Sequence, residues 1–160
     1  MPARHFDLVS HWRIAAPVDQ VWAALTDPDS WPQWWPQVRA VQTLRHGSAA
    51  GVGSVRRIEW STRLLYRLVI EVEAVESLPL ERLRGRSIGT LRGEGIWLLH
   101  AEGRCTDVTY VWRVELVRHW MRWLAPLLAP VFRWSHRGVM RAGGIGLARH
   151  LGAAPGASQP

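Results

Sequence analysis

Residues 17–36, PVDQVWAALTDPDSWPQWWP, constrain the fold more than any other stretch. Val21, Trp22 and Leu25 fall at i, i+1 and i+4, so a short helix here carries one bulky apolar face. Pro17 suits the first helical turn, where a missing N–H costs nothing. Asp27-Pro28 should stop that helix, because proline disfavours α geometry in the residue before it. Trp31, Trp34 and Trp35 then crowd in before Pro36, rings too large for an ordinary surface loop. A helix pair of this kind, placed after one strand, predicts the lid and wall of a chamber.

The flanking sequence alternates with period two. Phe6, Leu8, Ser10, Trp12 and Ile14 share one face of a first strand. Val38 to Arg45 and Ser54 to Trp60 follow, separated by a Gly/Ala/Ser loop. Leu64, Tyr66, Leu68, Ile70, Val72 and Ala74 line a long fourth strand that ends in a turn at Leu78-Pro79. Arg82 to Ile88 makes a fifth, with charged residues on one side. Leu91, Gly93, Gly95, Trp97 and Leu99 line a sixth. Val108, Tyr110, Trp112, Val114 and Leu116 line the last. Seven strands joined by short turns predict a curved antiparallel sheet. Gly85, Gly93 and Gly95 inside strands predict a bulge, a bend or a close approach.

After Val117 the pattern is helical to about Leu151. Arg133, Arg137 and Arg141 stack on one side; Ser135, Val139, Gly143 and Gly146 lie roughly opposite. Pro126 and Pro130 should divide this region, with the main helix starting near Ala129. The expectation is one domain over 1–152 and a disordered small-residue tail over 153–160.

The chain has 160 residues and a formal charge of +7, and its 20 basic residues are all arginine. The arginines are dispersed rather than blocked, and no nucleic-acid motif accompanies them, so nucleic acid is not expected as a partner. Cys105 is the single cysteine, so no internal disulfide and no Cys-based zinc site can form. The histidines are scattered without metal-ligand spacing, and no metal or other cofactor is expected. The N-terminus lacks a signal-type apolar core, and no apolar run has transmembrane length, which predicts a cytoplasmic protein.

The order of strand, two short helices, six strands and long C-terminal helix resembles the START-like superfamily, the helix-grip fold of Bet v 1-like and polyketide cyclase/dehydrase-like proteins. The resemblance spans about residues 5–151. It is carried by Trp12-Arg13-Ile14 with Ala16-Pro17, residues 21–27 (VWAALTD), residues 31–36, residues 93–97 (GEGIW), residues 108–112 (VTYVW) and the final amphipathic helix. It implies an α+β domain in which a seven-stranded curved antiparallel sheet wraps a long C-terminal helix around an apolar chamber.

Within that chamber Tyr66, Trp97, Trp112, Phe132, His136 and Met140 are the expected ligand-binding lining, with Trp34 and Trp35 gating the entrance. His136 and Tyr66 are the candidate proton-transfer residues, since a histidine titrates near neutrality. The plainer reading of His136, an imidazole satisfied by backbone or water, is preferred. Arg57, Glu59 and Arg67 would anchor a ligand carboxylate or carbonyl only if they pointed inward.

The leading expectation is a carrier of a small hydrophobic molecule: a lipid, polyketide, isoprenoid or aromatic. The alternative is a polyketide cyclase or dehydratase using the same chamber, although no acid/base set of such an enzyme maps onto the chain. A second alternative is a protein- or membrane-interaction module. It would act through the Arg/Trp-rich segment Arg118, Trp120, Arg122, Trp123 to Leu128, where rings and guanidinium groups suit a lipid headgroup zone. Peripheral membrane contact is the less favoured reading of that segment. Monomer and homodimer are both compatible with the sequence.

Overall fold

The computed structural model describes residues 5–62, 67–88, 91–115 and 119–153. Strand β1 (His5–Ile14) leads into α1 (Val18–Thr26), a single 3-10 turn (Pro28–Ser30) and α2 (Trp31–Trp34). Six further strands follow: β2 (Val38–Arg45), β3 (Val55–Ser61), β4 (Arg67–Leu78), β5 (Arg82–Ile88), β6 (Arg92–Glu102) and β7 (Cys105–Glu115). Helix α3 (His119–His150) is the last element. The strands form one antiparallel sheet of seven in the order β1-β7-β6-β5-β4-β3-β2, so the last strand bridges the first strand to the meander.

Register decides which residues face α3. Trp12 opposes Val108, Trp97 opposes Tyr110, Gly95 opposes Trp112 and Leu83 opposes Trp97. Directly paired residues share a face, so these side chains all lie on the concave side. The convex side carries most of the charges of the sheet. Asp7, Arg113, Glu94, Arg84, Glu76 and Arg82 form a chain of alternating sign across β1, β7, β6, β5 and β4. The arginines at 82 and 84, predicted on one strand face, are thus solvated and neutralised by neighbouring strands.

Helix α3 is continuous through Pro126 and Pro130, contrary to the division expected there. Both prolines are exposed. The carbonyls released by their missing N–H groups can therefore bond water, which removes much of the penalty that a buried helical proline carries. The helix packs on β1 and α2 at its C-terminal half. Gly143 lies against the Trp35 ring, and Gly146 lies against the Trp34 carbonyl so closely that a Cβ would overlap it. The small residues therefore permit close approach at that end rather than leaving it hollow.

Candidate functional site

The interior has a filled end and an open end. At the filled end Trp35 is the hub: the rings of Trp12, Trp31, Trp34, Trp60 and Trp97 lie 5.1–6.2 Å from it, centroid to centroid. The Trp35 indole N–H donates to the Val139 carbonyl of α3 at 2.9 Å, and the Trp31 N–H donates to the Ala24 carbonyl at 3.2 Å. Met140 and Leu147 from α3 complete this plug at 4% and 0% exposure. The sequence suggests an entrance role for Trp34 and Trp35, and their placement does not suit it, because they are 5% and 1% exposed. The rings sit in the plug because α2 is pinned inward by hydrogen bonds and by the missing side chains of Gly143 and Gly146. On its outer side Trp34 contributes to a separate groove of about 600 Å³ between α2 and the last turns of α3.

Toward the other end the concave surface is less tightly covered. The inward-facing residues of β4, Leu68, Ile70, Val72 and Ala74, all retain accessible surface, as do Leu83, Tyr110, Trp112 and Val139. Trp97 links the two regions, its ring 4.2 Å from that of Tyr110. His136 reaches down from α3 and stacks on Trp112 at 5.4 Å and 21°, and on Tyr110 at 6.3 Å and 19°. The Tyr110 hydroxyl lies over Gly95, 2.7 Å from where a Cβ would stand. The interior glycines thus serve close approach. Gly85 likewise lies under Val72, with a Cβ position 2.7 Å from Cγ1.

Burial sets the chemistry of the two polar rings. It pushes the His136 imidazole down to about 4, so the ring is neutral at pH 7. It raises the Tyr110 phenol well above its ordinary range, so that group stays protonated. His136 Nε2 is buried and has no hydrogen-bond partner among the described residues. An unpaired buried polar atom costs about 1–3 kcal/mol, a cost that a bound hydroxyl or carbonyl would offset.

Of the predicted lining, Trp97, Trp112 and His136 come together around Tyr110. Met140 is part of the plug. Phe132 is 41% exposed, too open to solvent for an enclosed lining residue. Tyr66 and Arg118 fall outside the described residues, as do the side chains of Trp120 and Arg122. Arg57, Glu59 and Arg67 face outward, in ion pairs of 2.7 Å (Arg57–Glu71) and 2.9 Å (Arg67–Glu59).

Two further inward residues join the site without a sequence-based nomination. Tyr110 lies on the predicted face of β7, beside Trp97 and Trp112. Arg56 opposes Val72 and shares the face of Ile58 and Trp60. Its Nη1 donates to Ser54 Oγ at 3.2 Å, its Nε is buried without a hydrogen-bond partner, and it forms no ion pair among the described residues. Parity was the available signal: an arginine two residues from Ile58 and four from Trp60 must share their side of the strand. Among the described residues no group of three His, Cys, Asp or Glu side chains could hold a metal ion, and no helix is long and apolar enough to cross a membrane.

The architecture is shared widely. TTHA0849 from Thermus thermophilus superposes with a TM-score of 0.72 at 17% identity, over 91% of this chain and 99% of that one. The Zhui aromatase/cyclase from Streptomyces sp. R1128 gives 0.76 at 13% identity, over 93% and 94%. A START superfamily protein from Mycobacterium smegmatis gives 0.73 at 14% identity, over 93% and 98%. No curated protein sequence matches the chain significantly. At these identities the structural matches establish the fold alone, a START-like helix grip; the sequence itself matches the family model over residues 5–152, nearly its whole length, and the chain belongs to the family described as polyketide cyclase / dehydrase and lipid transport.

Proposed function

We propose that the protein binds a small hydrophobic molecule bearing an aromatic or other planar ring in the open half of the interior, and carries it without transforming it. The observation that supports this best is the arrangement around His136: a neutral imidazole stacked on Trp112 and Tyr110 with one buried nitrogen lacking a partner. A ring sliding beside these three would bury apolar surface at about 25 cal/mol per Å². An oxygen on it would meet His136 or the Tyr110 hydroxyl and fix its orientation. Arg56 stands on the same concave surface as a cation without a carboxylate partner among the described residues, suited to a carboxylate or enolate at the ligand's far end.

The test is titration of intrinsic fluorescence with naphthalene- and anthracene-type ligands, alongside mass spectrometry of whatever a denaturing extraction releases. Trp112→Ala should weaken binding, while the distant exposed Arg104→Glu should not. If neither emission nor melting temperature responds to any ligand, and the extract is empty, the carrier reading fails.

A cyclase or dehydratase reading is favoured by one feature, the neutral His136 facing an apolar space, and by the aromatase/cyclase among the structural neighbours. Against it stands the depressed basicity: a base poised near 4 abstracts a carbon-bound proton poorly. Turnover of a poly-β-keto substrate that His136→Ala abolishes, with binding retained, would decide for the enzyme.

A further inference from the structure

We infer that the N-terminal half of α3 is a membrane-docking element that inserts into the headgroup region of an anionic phospholipid bilayer. Three observations carry it, and none depends on what the interior binds.

The first is position. His136 lies over Trp112, and Gly144 lies against Trp12, whose strand partner is Val108. Eight helical residues and four strand residues each span about 12–13 Å, so α3 runs nearly antiparallel to β7. Helix α3 therefore begins at the Glu115 end of β7, opposite the turn that carries Arg104.

The second is an apolar surface left open to solvent. Trp123 is 88% exposed, Leu127 72% and Val131 39%. Trp123, Leu127 and Val131 follow the i, i+4, i+8 spacing of one helical stripe. Contiguous exposed apolar area of this kind marks an interaction site rather than ordinary surface.

The third is charge, which selects the occupant. Helix α3 contains no aspartate or glutamate. Among the described residues Arg133, Arg137 and Arg141 make no ion pair, whereas Arg57, Arg82, Arg84 and Arg113 on the convex sheet face each pair with a carboxylate. Two copies of this chain meeting through the stripe would bring like charges together. An anionic bilayer instead offers acyl chains to the rings and phosphates to the guanidinium groups.

Vesicle co-sedimentation of the full chain tests this, with phosphatidylcholine alone or mixed equally with phosphatidylglycerol. Binding is expected to the mixed vesicles only, and to fall with added salt. Arg133→Glu combined with Arg137→Glu should weaken it by about tenfold or more, and Trp123→Ser combined with Leu127→Ser should do likewise. Arg104→Glu, at the opposite end of the molecule, should leave it unchanged. Circular dichroism and melting temperature establish that each variant is folded. Equal loss with Arg104→Glu would reduce the effect to net charge and overturn the proposal. So would a dimer that Trp123→Ser dissolves without any vesicle binding, or binding to duplex DNA in place of vesicles.

Discussion

The indole of Trp35 and the carbonyl of Val139 are joined at 2.9 Å, tying the segment after α2 to the middle of α3 across the filled end of the interior. Val139 remains in a continuous helix, so the indole is a second donor to one carbonyl. The same ring touches five other tryptophans. Removing it should therefore disturb the sheet, α2 and α3 together. Trp35→Ala is expected to cost about 3–5 kcal/mol and Trp35→Phe about 2 kcal/mol. Urea denaturation measures both, and a Trp35→Phe protein as stable as the parent would deny the ring its tying role.

Helical glycines ordinarily gain about 1 kcal/mol on replacement by alanine. Gly146 should reverse that sign, because its Cβ would enter the space of the Trp34 backbone carbonyl, which cannot swing aside. Gly144→Ala meets only the Trp12 side chain, at 2.9–3.1 Å, and can be relieved by a small ring shift. Gly146→Ala is thus expected to destabilise by about 2 kcal/mol or more, and Gly144→Ala by much less. Melting temperatures of the two variants rank them directly.

Much of this arrangement is legible in the order of residues. Alternation locates all seven strands and puts Trp97 and Trp112 on the concave side, because parity in a strand leaves no third option. The tryptophan cluster of residues 31–35 is equally visible as something to be buried. Its destination is not, since burial says nothing about whether a ring plugs an interior or guards its mouth; that depends on Gly143 and Gly146, more than a hundred residues away. Phe132 shares a face with inward residues, and its 41% exposure is not something that periodicity reveals. Arg56 escapes notice beside its neighbour Arg57 because charged residues are expected outside.

Leu80 adopts a positive φ of 65° in the turn between β4 and β5. The turn closes through the Glu81 N–H donating to the Leu78 carbonyl at 3.1 Å, with Pro79 at the position where its fixed φ helps. A type II turn of this form wants glycine or asparagine third, and leucine there carries a steric penalty of about 1–2 kcal/mol. Leu80 is also 40% exposed, so little packing is lost on replacement. Leu80→Gly and Leu80→Asn are expected to stabilise the protein by about 0.5–1 kcal/mol. Loss of stability in both would mean the leucine side chain contributes packing that outweighs the turn.

Gly95 keeps the floor of the open cleft flat enough for the Tyr110 phenol to lie across it. Gly95→Ala places a methyl group 2.7 Å from the phenolic oxygen and 3.2 Å from Cε2, which must lift the ring toward His136. The ring borders accessible space, so stability should change by less than about 1 kcal/mol. Ligand affinity should fall at least several-fold, because the displaced phenol occupies the site and loses its orientation. Isothermal titration with a ligand identified by extraction would measure this, beside denaturation of the ligand-free variant. Unchanged affinity would place the ligand elsewhere on the concave face.

His136 also makes stability depend on pH in a way that a single substitution can isolate. Its imidazole is held at about 4 in the folded protein by burial, against about 6.5 in the unfolded chain. Above pH 6.5 both states are neutral at this position and the residue contributes no pH dependence. As the pH falls from 6.5 toward 4 the unfolded chain takes up the proton first, so the folded state loses ground throughout that window. The full loss is on the order of 3 kcal/mol, reduced by whatever solvent the half-buried ring still meets. Every other titrating group is common to parent and variant, so the difference between them isolates the imidazole. His136→Gln should therefore narrow its stability deficit, or overtake the parent, as the pH drops from 7 to 4.5. Urea melts at half-unit pH intervals provide the comparison, and parallel curves would mean that His136 protonates as readily in the folded protein as in the unfolded one.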